Sequence, residues 1–169
     1  MTSPLNSDLL SNTELLTQHL RASVADFLLN NGLMLATAES CTGGMIAAAC
    51  TDLAGSSAWF ERGFVTYSNA AKTEMLGVPA NLIAEHGAVS EPVARAMAAG
   101  ALQHSAAQVS VAVTGIAGPT GGSADKPVGT VWFAWASPQG VRSEVRQFDG
   151  DRAAVRKATV LHALQGLLV

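Results

Sequence analysis

The sequence predicts an α/β fold, a three-layer α/β/α sandwich built on a mixed, mostly parallel five-stranded sheet. Three observations predict it. Leu33-Met-Leu-Ala36 and Val109-Ser-Val-Ala-Val113 are short apolar runs of the kind that form buried strands. Each opens directly into a turn rich in Ser, Thr and Gly: Thr37-Ala-Glu-Ser-Cys-Thr-Gly-Gly44 and Thr114-Gly-Ile-Ala-Gly-Pro-Thr-Gly-Gly122. Between them the chain carries segments of helical periodicity punctuated by Gly, Pro and Ser. With 169 residues, 49% hydrophobic and only 14% charged, there is enough apolar material for one sizeable core.

Residues 1–11 are polar, contain a Pro, and read as a flexible arm, leaving 12–169 as a single domain. Asn12 or Thr13 is placed to cap a helix to about residue 30, with Leu15, Leu16, Leu20, Val24, Phe27 and Leu28 at helical spacing and Asn31-Gly32 ending it. A strand follows over about 33–38, then a helix over about 43–52. Trp59-Phe-Glu-Arg-Gly-Phe-Val-Thr-Tyr67 is bulky and strand-like. Ser68-Asn69 caps a short helix that stops before Gly77, and Pro79 to Gly87 bounds another. Ser90-Glu-Pro92 opens a long Ala-rich helix, with Pro at an early position where its missing N–H costs nothing. After the strand at 109–113 and its Gly-rich loop, 129–136 and 141–148 pair as a hairpin around Ser137-Pro-Gln-Gly140. A final helix runs from Asp151 to about Leu168.

Composition excludes several classes. The net charge is −3 and the ten Lys and Arg are scattered, so no nucleic-acid groove is expected. No apolar stretch is long enough to span a bilayer, and the first dozen residues lack a secretory layout. Cys41 and Cys50, read as lying on one helix roughly 13 Å apart, are too distant to bridge. Free thiols suit a reducing cytoplasm. The four histidines are isolated from Cys, Asp and Glu at ligand spacing, so neither a metal nor another cofactor is expected. Trp59-Phe60 fits either an interface patch or a core position; the former favours a homo-oligomer.

Three features carry candidate chemistry. The turn at 37–44 lies between strand and helix, where unpaired amides attract anions, and it offers Thr37, Ser40 and Thr42. Ser40 is either a helix cap or a nucleophile. In Tyr67-Ser-Asn-Ala-Ala-Lys72, Lys72 falls in the first turn of a helix, where the dipole disfavours its charge and eases its deprotonation. A neutral lysine beside a serine is a workable base; a solvated surface lysine is the plainer alternative. The third feature is Thr114 with Gly115, Gly118, Gly121 and Gly122. Its spacing is neither a Walker A loop nor a dinucleotide fingerprint.

Taken together and in order, Thr37-Ala-Glu-Ser-Cys-Thr-Gly-Gly44, Tyr67-Ser-Asn69 with Lys72 to Gly77, Gly87-Ala-Val-Ser-Glu91, Thr114-Gly-Ile-Ala-Gly-Pro119 and Gly129-Thr-Val-Trp132 resemble the CinA carboxy-terminal domain family, the nicotinamide-nucleotide amidohydrolases, in its stand-alone form. The resemblance covers about 12–168. It implies hydrolysis of the carboxamide of nicotinamide mononucleotide to nicotinate mononucleotide and ammonia, in pyridine-nucleotide salvage. It places the family's catalytic residues on Ser40, Tyr67, Lys72 and Thr114. Substrate-binding roles are expected of Thr42, Gly43, Gly44, Gly115 and Gly118, with Arg152 or Arg156 a further source of donors for the phosphate. A non-catalytic nucleotide-binding module linked to competence or DNA damage is the competing class, and hydrolysis of a different amide a third.

Overall fold

The computed structural model describes the backbone of residues 4–169 and the side chains from residue 12 onward. Among the described residues, six α-helices and five strands follow one another as α1 (Pro4–Asn31), β1 (Leu35–Glu39), α2 (Met45–Thr51), β2 (Phe60–Val65), α3 (Asn69–Leu76), α4 (Ala80–His86), α5 (Glu91–Gln103), β3 (Val109–Gly115), β4 (Thr130–Ser137), β5 (Gly140–Gln147) and α6 (Arg152–Gln165). The strands form one sheet in the order β2-β1-β3-β4-β5. β1 is parallel to β2 and β3, while β4 is antiparallel to β3 and β5. Only β4 therefore runs against the rest, and the sheet is mixed and mostly parallel.

Both faces of the sheet are covered, which is why its central strands are apolar on both sides rather than alternating. Leu35, Val111 and Val113 pack with Leu28, Ile46, Val155 and Leu164 from α1, α2 and α6. Ala36, Ala38 and Ala112 face Leu76, Ile83, Val93 and Met97 from α3, α4 and α5. The small residues on this second face let α5 sit close to the sheet. β1 leads to a helix on one face, whereas β3 is entered from a helix on the other. The crevice at the carboxyl ends of β1 and β3 is the topological switch point where open α/β sheets bind ligands.

Local punctuation works as the sequence predicts. Ser68 Oγ accepts the Ala71 amide at 3.0 Å, and Gly77 closes α3 at φ 68°. Asp151 Oδ1 accepts the Ala154 amide at 2.9 Å at the start of α6.

Two expectations are corrected, and the open reading of Trp59 is resolved. α1 begins at Pro4, not at Asn12 or Thr13; of the expected arm, residues 1–3 lie outside the described residues. Pro is tolerated in a first helical turn, and no Gly or Pro interrupts the chain from there to Gly32. Within α1, Leu20, Val24 and Leu28 are buried, but Leu15, Leu16 and Phe27 face outward. Cys41 is not helical: it sits in the turn before α2, and both cysteines are free and buried. Trp59 is a core residue, 1% exposed and edge-on to Phe60. The patch that suggested an oligomer is thus part of the interior. Among the described residues, no helix is long and apolar enough to cross a membrane.

Candidate active site

The turn after β1 is held from beneath by Glu39. Its side chain is wholly buried. Oε1 accepts the Thr42 hydroxyl at 2.7 Å and the Ile46 amide at 2.8 Å; Oε2 accepts the Ala47 amide at 2.9 Å. A carboxylate at a helix N-terminus satisfies free amides and complements the dipole. The anion position at the head of α2 is therefore filled by the protein itself. Ser40 does not cap α2; Gly44 occupies that position, at φ 104°, directly after Gly43 at φ 58°. Two successive left-handed residues fold the chain tightly enough to leave Ser40 at the lip of the crevice. The Thr42 hydroxyl is buried and donates to Glu39.

Lys72 reaches Ser40 from the other side of the crevice. Its Nζ lies 3.0 Å from Ser40 Oγ, 2.8 Å from the Thr66 carbonyl oxygen and 3.5 Å from that of Tyr67. The side chain is 1% exposed, and no ion pair to it is formed among the described residues. Burial disfavours the ammonium and pushes the Lys72 pKa down; Cys41 opposes this only in its ionised form. An ammonium donates to all three oxygens; a neutral amine donates to two of them and can turn its lone pair toward the serine hydroxyl. Cys41, next to the serine, is inert by the same physics. Burial first, then the charge of Glu39, raises its thiol to about 11.

The remaining predicted residues are placed as follows. Thr114 is adjacent to Ser40 across the β1–β3 ladder, but its hydroxyl donates to the Ala88 carbonyl at 2.9 Å. It ties the segment between α4 and α5 to the sheet. Tyr67 is exposed, and its hydroxyl receives a 3.1 Å hydrogen bond from Arg152 Nη2 instead of meeting Lys72. Only its carbonyl faces the amine. Arg152 also donates to the Gly118 carbonyl at 2.9 Å. Gly115 is required by packing: a Cβ there would lie 2.7 Å from Val131 Cγ2 and 2.9 Å from the Thr130 carbonyl oxygen.

Arg156, one turn beyond Arg152, donates to the carbonyls of Cys41 and Thr42, both at 3.1 Å. Together with Ala117, Pro119, Val128 and Asp151 the two arginines line a cavity of about 620 Å³. Another cavity of the same size, between α1, α2 and α6, contains none of the predicted site residues. The site is therefore a serine and a buried lysine at the switch point, with two guanidinium groups beside an open pocket.

Sequence reading missed Glu39, Thr66 and the bracing role of Arg156. Glu39 carried a readable signal, a carboxylate at the end of an apolar strand seven residues before the Ile46 amide that it caps.

Residues 17–169 match the family model for the CinA C-terminal domain. The chain is 63% identical over 132 residues to a nicotinamide-nucleotide amidohydrolase PncC of Pseudomonas putida, covering 78% of this chain and 82% of that one. It is 56% identical over 149 residues to the protein of the same name from Escherichia coli, covering 88% and 90%. Among solved structures, the competence/damage inducible protein CihA from Agrobacterium tumefaciens superposes with a TM-score of 0.85 at 51% identity, over 90% of this chain and 93% of that one.

Proposed function

The chain belongs to the CinA C-terminal domain family, and we propose that it hydrolyses the carboxamide of nicotinamide mononucleotide, releasing nicotinate mononucleotide and ammonia in pyridine-nucleotide salvage. The observation that carries this reading is the 3.0 Å approach of buried Lys72 Nζ to Ser40 Oγ, with no carboxylate paired to the lysine among the described residues. The names of the relatives from Pseudomonas putida and Escherichia coli supply the substrate.

Ser40 Oγ attacks the amide carbon while neutral Lys72 takes its proton. The same proton passes to the leaving nitrogen, and ammonia departs. Lys72 is then neutral again and activates the water that cleaves the acyl-serine. The amides of Cys41, Thr42 and Gly44, which donate to no backbone carbonyl among the described residues, face the developing oxyanion. Gly43 and Gly44 shape that turn. Arg152 and Arg156 receive the 5′-phosphate in the adjoining cavity, where planar guanidinium groups suit phosphate oxygens. Tyr67 aligns Arg152 instead of relaying a proton, and Thr114 and Gly118 fix the loops around the crevice. The reaction so written needs no metal or cofactor.

The test is ammonia release from the purified protein with nicotinamide mononucleotide, before and after dialysis against a strong chelator. Turnover unaffected by chelation supports the reading. No ammonia from this substrate contradicts it and favours a binding module or another amide. A metal-restored loss of activity contradicts the serine–lysine chemistry.

A further inference from the structure

Among the described residues, one buried side-chain polar atom has no hydrogen-bond partner: the hydroxyl oxygen of Thr66. The residue is wholly buried. A buried hydroxyl without a partner costs stability, and such a group calls for a reason. Valine has nearly the same shape and would fill the space without that cost.

Thr66 extends the β2 ladder by one residue: its amide donates to the Glu39 carbonyl at 2.8 Å, as the Ser40 amide donates to Val113 at 3.1 Å. Glu39 stands opposite both Val65 and Val113. The next residues, Thr66, Ser40 and Thr114, are therefore abreast on three neighbouring strands. Side chains alternate across a sheet, so all three hydroxyls share the face covered by α3 to α5. Phe64, two residues before Thr66, packs into that face. Ser40 has Lys72, and Thr114 has Ala88. The Thr66 hydroxyl is idle, although the carbonyl of the same residue already accepts from Lys72 Nζ.

The valence of Nζ supplies a reason. A neutral amine has two N–H groups and one lone pair, which the carbonyls of Thr66 and Tyr67 and the Ser40 hydroxyl satisfy. An ammonium has three N–H groups. Once Ser40 has surrendered its proton and bonded to the acyl carbon, its oxygen is a poor acceptor. The Tyr67 carbonyl, at 3.5 Å, is at the limit of a hydrogen bond. One proton then lacks a good acceptor. We infer that the Thr66 hydroxyl is a positioning residue that accepts a hydrogen bond from Lys72 in its ammonium form, holding the proton until it passes to the leaving nitrogen. This rests on the serine–lysine reading above. The proton leaves Ser40 Oγ, resides on Nζ and ends on ammonia; the threonine neither gains nor loses one.

The charged and titratable groups around Lys72 do not supply that acceptor. Cys41, from the turn, stays a thiol up to about 11. The Tyr67 hydroxyl, from the β2–α3 connection, is held by Arg152. Arg156, from α6, is a cation that donates to two carbonyls and has no acceptor to offer. Glu39 lies under α2 and is bonded to the turn. On α3 itself Glu74 lines the groove toward α4, and at the end of α4 His86 pairs with Glu85.

The test compares wild type, Thr66→Val and Thr66→Ser by the pH dependence of kcat for ammonia release, which reports groups in the substrate-bound enzyme, with thermal melts alongside. Hydrogen bonding to the charged form raises a lysine pKa. Removing the hydroxyl should therefore move the acid limb down by about one pH unit, and Thr66→Ser should restore it. The Thr66→Val protein should melt no lower than wild type. A Thr66→Val profile that superimposes on wild type overturns the inference, as does a Thr66→Ser profile that follows valine. A wild-type enzyme with no acid limb, or an active Lys72→Arg enzyme, overturns the serine–lysine reading first and this inference with it.

Discussion

The Glu39 carboxylate accepts the Ile46 amide at 2.8 Å, so the head of α2 is closed by a side chain from the strand beneath it. On the proposed reading, that contact turns a substrate phosphate away from the head of α2. The helix N-terminus beside the nucleophile is the ordinary anion site of an α/β fold, and here it is already neutralised. A dianionic phosphate brought to it would meet a buried carboxylate. Among the described residues, the arginine pair of α6 is a cationic surface beside the turn that carries Ser40.

Glu39→Ala should destabilise the fold. It strands the Ile46 and Ala47 amides and the Thr42 hydroxyl in a buried setting. The expected loss is about 3 kcal/mol, read as a lower denaturant midpoint, with activity falling too. A midpoint within error of wild type would show that water replaces the carboxylate.

Ser40→Ala should fold with nearly wild-type stability, because Ser40 caps no helix. Ammonia release should fall by at least about a thousandfold. Activity within a few-fold of wild type would remove Ser40 as the nucleophile.

Both cysteines should resist thiol reagents in the native protein. Burial raises Cys41 to about 11 and Cys50 to about 12. At pH 8 the thiolate is scarce and enclosed, so labelling by an aromatic disulfide should run at least about a hundredfold slower than in denaturant. Rapid labelling of native protein would mean that the turn opens.

Arg152→Ala should raise KM for nicotinamide mononucleotide by about tenfold or more, the scale of one charge-assisted contact. The dephosphorylated nucleoside should be turned over no worse by the variant than by wild type. Equal losses on both substrates would make Arg152 a brace for Tyr67 and Gly118 instead of a phosphate ligand.

Much of the fold was legible because its boundaries are written in local chemistry. Ser68 and Asp151 cap helices, Gly77 and Gly87 end them, and the apolar runs of β1 and β3 lead straight into Gly-rich turns. The start of α1 was not, because a Pro in a polar stretch reads equally as a loop or as a first helical turn. At the site, Ser40 and Lys72 were found by residue type and by family resemblance. Their contact joins residues 32 apart in sequence, which no periodicity encodes. The Tyr67–Arg152 bond spans 85 residues, beyond any local pattern. Thr66 was silent because its part lies in a missing partner, visible only once every neighbour has been placed.

The most direct measurement is kcat/KM for ammonia release against pH, for wild type, Lys72→Ala and Lys72→Arg. Burial holds the Lys72 pKa below its ordinary 10.5, and only the neutral amine can take the serine proton. The wild-type value should therefore climb as pH rises through that lowered pKa and level off above it. Guanidinium keeps the charge but stays protonated across this range, so Lys72→Arg should be nearly as dead as Lys72→Ala at every pH. An active Lys72→Arg enzyme, or a wild-type profile with no rise on the acid side, would contradict lysine as the base.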